Sequence, residues 1–106
     1  VSDISLEPLL NSRLVKGPSG PTTNRQVTLV SGTPKKVTPT SGCSAMHIFN
    51  NTAVNIRYGG SGVDGSSGVV LFNQSTLVIS SPKSDFEIHF FQGSGSDKTL
   101  DIVEFF

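Results

Sequence analysis

The sequence predicts an all-β domain, an antiparallel β-sandwich or jelly-roll-like barrel, preceded by an extended N-terminal arm. Three observations lead there. From Gln26 onward apolar residues recur with a period of two, as in Val54, Ile56 and Tyr58 against Asn55 and Arg57, or Phe86, Ile88 and Phe90 against Glu87 and His89. Short runs rich in Val, Ile, Thr and Phe are broken at close intervals by Gly, Pro, Ser and Asn, the rhythm of a sandwich or barrel. No later segment repeats apolar residues at helical spacing over several turns.

The elements follow in order. Residues 1–25 form an arm and linker: Ile4, Leu6, Leu9, Leu10, Leu14 and Val15 lack strict alternation, and Gly17-Pro18 and Gly20-Pro21 favour an extended or turning tether. So short a segment cannot build a core of its own, so the arm is expected to dock on its own domain or on a neighbour. Strands are expected near 26–31, 34–39, 44–50, 53–58, 68–72, 75–80, 85–91 and 98–105, making 26–106 one sandwich domain. Asn50 and Asn51 suit a tight hairpin, because Asn tolerates the left-handed conformation such turns use. Gly59, Gly60 and Gly68 bound a flexible, glycine-rich connection that turns a corner. In the last strand Leu100 and Ile102 lie on one face and Val103 and Phe105 on the other, so both faces are expected to be covered.

Composition narrows the function. A chain of 106 residues holds one domain. With 35% hydrophobic and 15% charged residues it is neither a highly charged disordered chain nor a membrane protein, and no apolar run reaches the ~18 residues of a span. Eight Lys and Arg balance eight Asp and Glu, and Lys35-Lys36 is the densest basic spot, so no nucleic-acid partner is expected. The single Cys43 excludes an intramolecular disulfide. The start VSDISLEPLL lacks the basic and apolar stretches of a signal peptide, which makes the cytoplasm the expected place of synthesis.

Candidate chemistry is sparse. His47 and His89 occupy polar phases of strands, and no Cys/His spacing assembles a metal site. Cys43 and His47 could pair as thiol and imidazole, but the sequence reads Cys43 as a small buried residue. The loop GGSGVDGSSG lacks the helix and lysine of a phosphate-binding loop, and Asp64 is its only carboxylate, too few for calcium. The sequons at Asn50 and Asn73 matter only in a glycosylating pathway. The expectation is a protein without catalytic residues, cofactor or metal.

The order "HIFNN", "VNIRYGGSGVDGSSGVVL", "STLVIS" and "DFEIHFFQGSGSDKTLDIVEF" resembles small β-sandwich virion proteins of tailed bacteriophages over roughly residues 44–106. Asn50, Asn51, Gly59, Gly60, Ser61, Val63, Gly68, Leu71 and Glu104 carry the likeness. Asn73-Gln74-Ser75 stands where a Pro-Gly-Glu-like turn is common, and Gly62 alters the usual spacing. The resemblance implies a capsid decoration (cement) protein on the phage head surface, contacting the major capsid protein and copies of itself as a homotrimer. It also implies anchoring through Ile4, Leu6, Leu9, Leu10 and Leu14 of the arm. The alternative is a fibre or head-tail adaptor, or a module that recognises a host-surface glycan through Tyr58 and the 59–68 loop.

Overall fold

The computed structural model describes residues 20–106. The expected anchoring residues Ile4, Leu6, Leu9, Leu10 and Leu14 lie outside the described residues. From Gly20 onward the chain is all-β: β1 (Thr22–Leu29), β2 (Lys35–Val37), β3 (Ala45–Phe49), β4 (Ile56–Gly59), β5 (Val69–Leu71), β6 (Thr76–Ser80), β7 (Ile88–Phe91) and β8 (Lys98–Phe105). Two four-stranded sheets form, one in the order β1-β8-β3-β6 and the other in the order β2-β7-β4-β5. All neighbouring strands are antiparallel.

The pairing is nested. β4 pairs with β5, β3 with β6, β2 with β7 and β1 with β8, so the described chain is one long hairpin rolled up on itself. Only the β4–β5 connection stays within one sheet, and every other connection crosses between sheets. Eight strands wound this way into two facing sheets form a jelly roll.

Alternation along each strand builds the core. Leu29, Met46, Ile48, Leu100 and Ile102 point inward from the first sheet and meet Val37, Ile56, Leu71, Ile88 and Phe90 from the second. At ~1.5–3 kcal/mol for each fully buried large apolar side chain, this interface is the main source of stability.

Two expectations need correction. β1 begins at Thr22, four residues before the expected start, because Thr22, Thr23, Asn24 and Arg25 pair with Phe105, Glu104, Val103 and Ile102. The linker assigned to 1–25 therefore ends before Thr22. Pro21 is compatible with this position, since proline is tolerated at the margin of an edge strand. Asn50 and Asn51 do not close a tight hairpin. They begin the crossing from β3 in the first sheet to β4 in the second, and the left-handed residue of that crossing is Ala53, with φ 71°.

Candidate functional site

Asn50 is fully buried and satisfied on every side. Its side-chain amide donates to the Val54 carbonyl at 2.9 Å and the Leu71 carbonyl at 2.8 Å, while its Oδ1 accepts from the Thr52 hydroxyl at 2.6 Å and the Thr52 N–H at 3.1 Å. Its backbone donates to the Ser75 carbonyl and accepts from the Gln74 N–H. One side chain thus ties the 50–55 crossing to the 72–75 crossing. Burial also removes the Asn50 sequon from any modifying enzyme, whereas Asn73 is exposed.

The glycine-rich loop is folded around two residues. Val63 is buried beneath it. The Asp64 Oδ1 accepts the N–H groups of Ser66 at 2.9 Å and Ser67 at 2.8 Å, and the two hydroxyls at 3.2 and 3.0 Å. The Ser66 N–H, followed by the Ser67 hydroxyl and N–H, holds the Asp64 carboxyl below its ordinary value. The Ser66 and Ser67 amides, which could otherwise face a phosphate, are already given to this carboxylate. Among the loop's glycines only Gly68 adopts a positive φ, +100°, so most of them do not serve the left-handed geometry expected of a flexible connection.

Glu104 is 1% exposed at an inward position of β8. Burial pushes its pKa up, but the Thr40 N–H and hydroxyl, each at 2.7 Å, and the Arg25 guanidinium outweigh that and hold it below the usual value. Arg25 Nε lies 3.2 Å from Glu104 Oε1, and the same guanidinium donates to the Thr38 carbonyl. The cluster fastens the 38–40 segment to β1 and β8.

The remaining chemical groups are kept apart. Cys43 lies in the core with its Sγ 3.1 Å from the Ala45 carbonyl oxygen, whereas His47 points outward and packs at a tilt of 54° against Phe105, with 4.6 Å between ring centroids. They belong to opposite faces of the first sheet. Among the described residues no three His, Cys, Asp or Glu side chains gather to hold a metal, and no helix is long and apolar enough to cross a membrane. Tyr58 packs inward near Phe90, with ring centroids 6.2 Å apart, and so is not the exposed platform expected for a sugar.

One surface stands out. On the outer face of the first sheet the register aligns Phe105 with Ala45, Val103 with His47 and Val78, and Phe49 with Thr76. Phe105, Ala45, Val103, Val78 and Phe49, interrupted by His47 and bordered by Thr76, form a strip about 10 Å across three strands and about 14 Å along them. Val78 is 53% exposed at its rim. Asp101 is the only Asp, Glu, Lys or Arg that the alternation of β1, β3, β6 and β8 directs to this face, and it is hydrogen-bonded to Gln26 and Asn51. The two-sided apolarity of β8 is legible along the chain but its neighbours are not, because cross-strand alignment depends on strand order.

No protein-family model matches the chain, and no curated protein matches it. Among solved structures it is similar to a de novo designed double-stranded β-helix determined by solution NMR, with a TM-score of 0.56 and 17% identity, over 77% of this chain and 97% of the designed one. That likeness agrees with the all-β, two-sheet architecture and concerns the fold alone.

Proposed function

We propose that the chain is a structural subunit of a bacteriophage virion, a decoration (cement) protein that stabilises the head by contacting the major capsid protein and copies of itself as a homotrimer. It would be made in the host cytoplasm and end on the head surface. The observation that carries this reading is the nearly charge-free outer face of the first sheet, with its apolar strip on β8, β3 and β6. Such a face can meet another protein surface without like-charge repulsion or unpaired charges. The resemblance of residues 44–106 to phage virion proteins points the same way, and jelly rolls recur in viral capsid domains, although a fold does not choose a function.

Area sets the strength of the contact. A strip of about 10 by 14 Å is far below the ~800 Å² per partner of a stable pair. The face alone would bind weakly, and the arm's Ile4, Leu6, Leu9, Leu10 and Leu14, together with repetition over a lattice, would supply the rest.

The test is co-sedimentation with empty phage heads, with the mass of the free protein read by light scattering. Wild type should bind at a fixed, saturable stoichiometry, and both Val78→Lys and deletion of residues 1–16 should weaken binding about tenfold or more while the domain stays folded. Binding by neither wild type nor variants, or undiminished occupancy by both variants, defeats the proposal. Binding to tails in place of heads would favour the fibre or adaptor alternative.

A further inference from the structure

The outer face of the second sheet carries a different chemistry. β4 and β7 pair there with Arg57 opposite Phe91, both directed away from the core. Beyond this pair the chains continue as 54–55 and 92–94, and an open hollow of about 390 Å³ lies among Arg57, Phe91, Asn55, Gly65, Gly93 and Ser94. The edge of the Phe91 ring is left uncovered because glycines flank it. A Cβ built on Gly93 would stand 3.6 Å from the ring and one on Gly65 3.8 Å, ordinary contact distances.

The polar groups at this hollow are mostly donors. Arg57 Nη1 donates to the Gly68 carbonyl at 3.0 Å, which fixes the guanidinium while leaving most of its five N–H groups for another acceptor. Among the described residues no carboxylate pairs with it. The Asn55 Oδ1 is taken by the Asn73 N–H at 2.9 Å, so the free end of that side chain is its NH₂. Ser94 is turned toward Gln92 through its N–H at 2.7 Å and its hydroxyl at 2.6 Å. No Asp or Glu lines the hollow.

A held cation, an amide donor and an aromatic edge, with no Asp or Glu in the lining, complement a small ligand that has a carboxylate and an apolar flank. We propose that this hollow is a binding site for an acidic sugar, with the uronate carboxylate on the Arg57 fork, ring oxygens at Asn55 and the sugar's flank in van der Waals contact with the edge of Phe91. The guanidinium geometry suits a planar carboxylate, and the volume is at the low end of small-molecule pockets, suited to one or two sugar rings. The hollow and the apolar strip occupy opposite sheets, so glycan binding and particle assembly succeed or fail independently.

The experiment is an NMR titration of the ¹⁵N-labelled full chain with methyl glucuronide, and in parallel with methyl glucoside, acetate and inorganic phosphate. The expected result is saturable movement of the Gly65, Gly93 and Ser94 amides, the Asn55 side-chain amide and the Arg57 Nε–H, with a Kd on the order of millimolar. The glucoside should bind about tenfold more weakly for want of the charge-assisted pair. Gly93→Ala and Gly65→Ala each place a methyl against the Phe91 edge where the sugar would pack, so each should weaken the response several-fold while amides elsewhere keep their positions. Arg57→Lys, which keeps the charge but loses the fork, should weaken binding about fivefold. The proposal is overturned by an absence of shifts at these residues up to about 20 mM, some tenfold above the expected Kd. Equal affinity for the glucoside, or acetate or phosphate alone reproducing the shifts at the same affinity, overturns it too.

Discussion

Glu104 shows how a residue that looks like one more surface charge becomes a structural joint. Its carboxylate accepts from Thr40 and Arg25, and its folded pKa lies below the ordinary 4.5. A depressed carboxylate contributes stability that is fully present above its unfolded value and is lost as the pH falls through the folded one. Glu104→Gln should therefore lower stability by about 1–3 kcal/mol at neutral pH, mainly through the weakened bonds to Thr40, since Arg25 is partly solvent-screened. Urea unfolding at pH 7 and pH 3 should show the gap between wild type and variant narrowing at the acid end. A gap independent of pH would mean the charge is not what binds Thr40 and Arg25. The inward phase of Glu104, two positions after Ile102, is legible from alternation. Its partners are not, since the linker expected over 1–25 takes in Arg25 and the strand expected near 34–39 stops short of Thr40.

At the scale of the element, the β4–β5 connection separates glycines that are required from glycines that are merely present. Gly68 has φ +100°, and a Cβ there would fall 2.6 Å from Val63 Cγ2 and 2.8 Å from the Tyr58 carbonyl oxygen. Nothing stands within 4 Å of a Cβ on Gly62. Gly68→Ala should cost about 1–3 kcal/mol, and Gly62→Ala no more than about 0.5 kcal/mol. Thermal unfolding of the two variants would decide, and equal losses would refute the distinction. The existence of the eight strands was readable because period two is a local signal. The role of the turns was not, because Asn50-Asn51 reports a bend without saying whether the next strand stays in the same sheet. The Asp64 staple had a visible cue in Asp-x-Ser-Ser, a spacing that lets a carboxylate meet the following amides.

The whole molecule has two unlike faces, an apolar strip on one sheet and a hollow beside Arg57 and Phe91 on the other. Composition could not reveal this, because a net charge of zero says nothing about where charges lie. The nested pairing also sets an order in time. Joining Thr22 to Phe105 in an open chain would close a loop of roughly 80 residues, about 2 kcal/mol costlier in entropy than closing one of roughly ten. Once β4 and β5 have met, each outer pair closes only a short remaining loop, so the fold should zip from its glycine-rich tip toward its ends. Pulse-labelled hydrogen exchange during refolding should protect amides of β4 and β5 before those of β1, and simultaneous protection would exclude such zipping. The last strand to join is then β1. Its eight pairs with β8, from Thr22–Phe105 to Leu29–Lys98, form the longest seam in either sheet, so the step that comes last is also the one that clasps the finished roll shut.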